Sequence, residues 1–393
     1  MASIKLKGDV SGELTIQAPS VAGTNTLDLP ASSGTLLTTT GNGSQLTGLP
    51  NSYAGTKNLI INGNMRIDQR NAGASVTPTN GSFVTDRFRQ LLSAASKYTG
   101  QQVTDAPNEF TSSLKLTSSS AYTVGSAEVF GVEQRIEGNN ISHLAWGTAN
   151  AKDVTLSFWV KSSLTGTLSG AVSNNTDAAY PFDYTISSAD TWEKKTINIS
   201  GPTIGTWLTT NGVGISVKYM IGLDPAGTWA NTPNVWAASN GFGATSQNVD
   251  IVGTSGATFY ITGVQLEVGD TATDFEHLQY GQQLALCQRY FEPLINDSLN
   301  YNSGQIVGSS YNTTRNFVMI CMKEIKRAAP TIVASGVGGN ILQNNTAKTV
   351  TGINFTYPNL YSVGLDFTAS GTQGAAFHYD PSATTVITAD AEL

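Results

Sequence analysis

Charge is scarce in this chain. Lys, Arg, Asp and Glu make up 12% of its 393 residues. The 21 basic and 28 acidic residues leave a net charge of −7, and the basic ones form no cluster. Binding nucleic acid by neutralising phosphates is therefore not expected. Cysteine is nearly absent. Cys287 and Cys321 cannot build a disulfide framework, and their apolar surroundings predict two buried free thiols. The three histidines, His143, His277 and His378, are not at metal-ligand spacing, and neither HExxH nor CxxC occurs. No apolar run reaches the roughly 18 residues of a membrane-spanning helix, so no membrane insertion is expected. The opening MASIKLKGDVSGE has no apolar core of a signal peptide, which predicts synthesis in a cytoplasm.

Glycine is abundant, at 40 residues, and Thr, Ser and Asn fill the polar positions. Together with the aromatics this favours strands and turns over helices, and an all-β fold is expected. Residues 1–56 hold short extended pieces, such as Ile4-Lys5-Leu6, Leu14-Thr15-Ile16, Leu27-Asp28-Leu29 and Leu36-Leu37. Each is too small to bury a face alone, so a single copy should be disordered and several copies could share a thin core. Residues 57–280 read as one β domain. Its clearest strand is VTLSFWVK at 154–161, where Val154, Leu156, Phe158 and Val160 face one way and Thr155, Ser157, Trp159 and Lys161 the other. Residues 249–252 read as a short strand. Phe259 to Val268 closes the set, with a phase shift at Thr262-Gly263 that has the pattern of a β-bulge. From Tyr280 the period changes, and Tyr280, Leu284, Cys287 and Phe291 fall on one stripe of a short helix. Residues 281–393 form a second β unit. Its NFVMICM run at 316–322 is apolar on both faces, which predicts burial between layers or between subunits.

Three strings resemble a known family: NLIINGNMRIDQRNAG at 58–73, ITGVQLEVG at 261–269, and DFEHLQYGQQLALCQRYFE at 274–292. They are similar to tail fibre proteins of tailed bacteriophages, at the join between a carbohydrate-binding-module-like jelly roll and a C-terminal tip. VTLSFWVKSS and DTWEKKTINISG look like matching strands of carbohydrate-binding modules. The resemblance implies a homotrimeric fibre with an N-terminal stalk (1–56), a jelly-roll β-sandwich (57–280) and a β-sandwich tip (281–393). It also implies attachment of the N-terminus to other tail or adaptor proteins, and adhesion of the virion to a host surface polysaccharide or protein.

Aromatic side chains are the strongest candidates for ligand contact, because a flat ring can stack on the C–H face of a pyranose. Trp229 and Trp236 lie in PAGTWANTPNVWAASNGFG, a turn-rich stretch expected at the surface. Trp159 falls on the polar face of its strand, and Trp192 also reads as a strand residue. Tyr180 and Tyr184 bracket YPFDY, read as a similar loop. Each of these rings could instead fill a core or a subunit interface. His378, between Phe377 and Tyr379, is a candidate tip-surface residue, whereas His277 reads as a packed junction residue. Asp177, Asp183, Asp190, Asp224 and Asp250 are scattered without a motif, and hydrolysis of a glycan would need two carboxylates facing one bond. No GxSxG elbow supports Ser-His-Asp chemistry. The expectation is a non-enzymatic adhesin without cofactor, with a structural Ca²⁺ in the Asp-rich turns as a further option. A connector fibre that binds other virion proteins, and a glycan-cleaving spike, are the alternatives.

Overall fold

The computed structural model describes residues 3–7, 13–17, 57–296, 306–336, 338–344, 346–381 and 385–393. The chain divides into two compact units, 1–51 and 52–393. In the first, β1 (Ser3–Lys7) pairs antiparallel with β2 (Glu13–Gln17), Ile4 opposite Ile16. Two of the short pieces expected to be disordered in a single copy thus pair with each other within one chain. The pieces at 27–29 and 36–37 lie outside the described residues.

The second unit carries two β-sandwiches. The strands of the larger are β3 (Arg89–Leu92), β4 (Tyr98–Val103), β5 (Ser113–Ser118), β6 (Val129–Glu137), β7 (Val154–Ser162), β8 (Gly166–Ser173), β9 (Ala179–Ile186), β10 (Glu193–Ile199) and β11 (Val213–Leu223), then the two-residue β12 (Ala230–Asn231) and β13 (Gly243–Ala244), and finally β14 (Thr258–Val268). Two five-stranded sheets form, ordered β10-β7-β14-β5-β4 and β3-β6-β11-β8-β9. The chain passes back and forth between them, as in a jelly roll. The alternation in β7 is realised as read: Val154, Leu156, Phe158 and Val160 are fully buried between the sheets. Phe130, Phe182, Tyr184, Tyr219 and Phe259 fill the same core. Residues 249–252 are irregular, running into a bend and a turn at 251–252, and do not form the short strand expected.

The bulge in β14 is present. Its register with β7 shifts between Thr262 and Gln265, and Gly263 takes φ +60°. A Cβ there would lie 2.6 Å from the Phe110 ring and 2.9 Å from Trp159 Cδ1. Glycine is therefore required twice, by the left-handed backbone and by the close approach of two rings.

The helix α1 (Tyr280–Gln288) follows, with Gln279 and Gln282 forming its capping box. It buries Gln283, Cys287 and Gln288, whereas Tyr280 is half exposed. The buried stripe is thus rotated from the one expected. Cys287 and Tyr290 pack on Ile61 and Ile67 of the turn that opens the jelly roll.

The smaller sandwich contains β15 (Phe291–Asn296), β16 (Ile306–Ser310), β17 (Arg315–Cys321), β18 (Thr331–Ser335), β19 (Gly339–Gln343), β20 (Thr346–Thr349), β21 (Gly352–Thr356), β22 (Ser362–Thr368), β23 (Ala376–Pro381) and β24 (Val386–Asp390). A three-stranded sheet, β15-β24-β18, packs on a seven-stranded one, β20-β19-β23-β16-β17-β22-β21. Leu294, Ile295 and Ile387 meet Val318, Leu365, Phe367 and Tyr379 in its core. Strand β17 buries Asn316 and Val318 but leaves Met319 46% exposed, so within one chain it is covered on one face. Cys321 is exposed, which corrects the expectation of a buried thiol. It ends a strand whose other face, with Met319, is exposed among the described residues.

Residues near 390 close the joint between the sandwiches. The Glu392 carboxylate is paired with Arg87, which is 2% exposed, and with Arg70 at 3.3 Å. The Arg87 guanidinium lies 3.5 Å from the Tyr290 ring centre, and Arg289 pairs with the buried Glu137 at 2.7 Å.

Candidate functional site

The outward face of the β10-β7-β14-β5-β4 sheet is built by the residues that alternate with the core. Register places Lys161, Tyr260, Lys115 and Gln101 in one row across β7, β14, β5 and β4. Lys194, Trp159 and Thr262 form the next row, on β10, β7 and β14. Further along the strands the face is roofed. Glu267 accepts from the Thr273 amide at 2.9 Å and from its hydroxyl at 2.6 Å, and Gln265 accepts from the Glu276 amide at 2.9 Å. Phe110, Phe275 and His277 close the roof above the bulge, with ring centres 5.0 to 5.5 Å apart. His277 is exposed, so its packing is one-sided.

Beside the roof lies a patch with three partly buried rings, Trp159, Trp192 and Tyr260. Trp192 precedes β10. Its ring stands 6.1 Å from that of Tyr260 at 71°, the edge-to-face arrangement aromatics favour. The indole Nε1–H donates to Asp105 Oδ1 at 3.1 Å. Asp105 also pairs with Lys161, whose ammonium lies 4.3 Å from the Tyr260 ring centre and 5.3 Å from that of Trp192. The Lys115 ammonium is 5.5 Å from the Tyr260 ring centre. Lys161, then the Trp192 indole, hold the Asp105 carboxyl below its usual range. The patch thus offers partly exposed ring area, fixed donors and one ionised acceptor.

The other residues singled out in the sequence fall elsewhere. Tyr180 and Tyr184 are corrections: YPFDY is strand β9, not a loop, and both rings are buried. Tyr184 packs edge-on against Phe158 in the core. Trp236 joins Trp146, Trp207 and Tyr180 in one cluster of mutually edge-on rings, and donates to the Ser200 carbonyl at 2.7 Å. Trp229 packs on Phe242 and donates to the Ala127 carbonyl at 2.9 Å. Both tryptophans are half buried and pin the long 224–250 segment to the sandwich. His378 lies on β23 between Val307 and Leu342, half buried rather than on a loop.

Asp177 accepts from the Thr206 amide at 3.2 Å, Asp183 from Ser246 Oγ at 2.6 Å, and Asp224 from the Ala226 amide at 2.9 Å. These carboxylates shape turns. Asp224 and Asp250 also line a depression of about 410 Å³ beside Tyr122 and Gln247. Burial pushes the Asp250 carboxyl up to about 6. On the opposite sheet Lys218 donates to Ser173 Oγ at 2.5 Å, and Ser216 to Glu133 at 2.6 Å, sealed beneath Gly241 and Phe242. Among the described residues no group of three or more His, Cys, Asp and Glu could hold a metal ion, and no helix is long and apolar enough to cross a membrane.

The sequence placed Trp159 on the outward face of its strand, but Tyr260, Lys115, Lys161 and Asp105 were not singled out. The signal for Tyr260 was present: it alternates with Phe259 and Ile261, so it must face outward once they face the core.

No protein-family model matches the chain, and no curated protein matches it. Three solved structures are among those similar to it. One is a candidate sugar-binding protein from Bacteroides thetaiotaomicron (13% identity, 54% of this chain and 100% of that one, TM-score 0.32). Another is the enzymatically active domain of tailspike protein 4 from bacteriophage CBA120 (15% identity, 49% of this chain and 21% of that one, TM-score 0.27). The third is a xylan-binding domain from Paenibacillus barcinonensis (10% identity, 52% of this chain and 99% of that one, TM-score 0.26). At these scores the likenesses carry no argument about what this chain binds.

Proposed function

We propose that this chain is a non-catalytic, glycan-binding subunit of a bacteriophage tail fibre. The observation that carries glycan binding is the open set of Trp159, Trp192 and Tyr260 on an outward sheet face. Sugar C–H faces stack on such rings, and the adjoining Asp105 and lysines can hydrogen-bond sugar hydroxyls. The fibre assignment rests on the sequence resemblance at 58–73, 261–269 and 274–292. In this reading three copies assemble, the N-terminus meets other virion proteins, and three weak sites act together because they are tethered. The virion is then the protein's working location, and no cofactor is required.

A glycan array with the full chain tests the binding. Defined glycans should bind, and the double variant Trp192→Ala, Tyr260→Ala should lose them while keeping its thermal midpoint within a few degrees. An array without signal, or a signal indifferent to the double variant, overturns this reading. Sedimentation as a monomer would overturn the trimer, and new reducing ends in a polysaccharide digest would overturn the non-catalytic assignment.

One observation favours a protein partner as a second reading. Leu342, His378 and Val307 stand in register on β19, β23 and β16 of the outward tip face. Val307 is 65% exposed, and Met319 on β17 is 46% exposed. A connector role, or contact between copies, would cover these residues.

A further inference from the structure

We propose that the open sheet face selects an acidic glycan, one carrying uronic or other carboxylated sugars, with Lys115 and Lys194 as the residues that read its charge. This rests on the glycan-binding reading and names the ligand class of the same site.

The chain as a whole is acidic, at −7, yet this face gathers cations between its rings. Lys115 and Lys161 approach the same Tyr260 ring from adjoining strands. Lys194 stands directly opposite Trp159. The three lysines are not equivalent. Lys161 is buried and committed to Asp105, and that pair neutralises itself and fixes the Trp192 ring through its indole N–H. Lys115 is half exposed, Lys194 is exposed, and among the described residues neither forms an ion pair. Two ammonium groups outside any such ion pair therefore flank the rings; Lys115 shares the field of Asp105, whose direct partners are Lys161 and the Trp192 indole.

Beyond about 8 Å a charge is screened at physiological ionic strength. The acidity of the rest of the chain weighs little against two lysines in contact with the ligand. A neutral pyranose would use the rings and leave both ammonium groups to water. A carboxylated sugar stacked on the same rings would place its anion within reach of one of them, at the strength of a charge-assisted hydrogen bond. Strands in a sheet are about 4.8 Å apart. Lys115 and Lys194 are separated by β14 and β7, three strand spacings or about 14 Å, so the two charges suit separate residues of an extended chain rather than one monosaccharide.

The experiment compares polygalacturonate, alginate, hyaluronate and polysialic acid with their carboxyl-reduced forms, by titration calorimetry on the full chain. The expected result is that at least one acidic polymer binds ten-fold or more tightly than its reduced form. Raising NaCl from 50 to 200 mM should weaken that binding several-fold. The variant Lys115→Gln, Lys194→Gln should erase the difference while moving the thermal midpoint by no more than a few degrees, since among the described residues neither lysine forms an ion pair. If reduced and acidic forms bind alike and Trp192→Ala abolishes both, glycan binding stands and the acidic preference is overturned. If the glycan array and all of these polymers give no binding, both fall together.

Discussion

The indole of Trp192 and the carboxylate of Asp105 are hydrogen-bonded at 3.1 Å although 87 residues separate them in the chain. With the edge-to-face contact to Tyr260 and the Lys161 ammonium beside it, this bond fixes the orientation of a partly buried ring. Trp192→Phe keeps an aromatic surface and removes the donor. Loss of one such bond to a charged group costs about 1.5–3 kcal/mol in a buried setting and less at this exposure. Glycan affinity should fall several-fold in Trp192→Phe and further in Trp192→Ala, as read by calorimetry.

Gly263 links backbone conformation to the same face. With φ +60° and both Phe110 and Trp159 at contact distance from any Cβ, Gly263→Ala combines left-handed strain with overpacking. It should destabilise by about 2–4 kcal/mol, measured by urea unfolding. Because Trp159 must shift, residual glycan binding should weaken in the folded fraction as well.

Asp250 gives a pH dependence with a defined sign. Its folded-state value, about 6, lies above the roughly 3.9 of a free Asp. The folded chain therefore holds more protons between about pH 4 and pH 6, and stability falls as pH rises through that window. Asp250→Asn should leave stability unchanged near pH 4 and raise it at pH 7. The side chain is only partly buried, so solvent screening reduces the gain to about 1 kcal/mol. Denaturant midpoints at the two pH values check this.

Arg87 is held by the Glu392 carboxylate, the Arg135 carbonyl at 2.6 Å and the Tyr290 ring. Arg87→Met leaves Glu392 buried with its charge partly uncompensated. Breaking a buried pair in this way costs about 3–5 kcal/mol. Adding Glu392→Gln should recover part of that loss, so the double variant should be more stable than the sum of the single effects implies.

The two cysteines should react in sequence. Cys321 is exposed, whereas burial pushes the Cys287 thiol up. A disulfide reagent should label one thiol per chain in native buffer, at Cys321, and both in denaturant. Native protection of Cys321 would show that another copy or another protein covers β17.

Much of the architecture was legible locally. Alternation in 154–161 fixed which side chains of β7 face the core, because successive residues of a strand point to opposite sides whatever surrounds them. The bulge at Gly263 and the helix from Tyr280 were likewise written in short-range patterns. So was the outward position of Trp159. The openness of a ring was not. Tyr180 and Tyr184 sit in a stretch that reads as a loop, yet strand pairing with β8 buries them. Trp229 and Trp236 look like surface rings, yet they clamp their own segment. Tyr260 is covered on only part of its surface, and Asp105, from the hairpin of β4 and β5, reaches Lys161 and Trp192 beside it. Exposure depends on which distant segments pass over a face, and tertiary packing alone decides that.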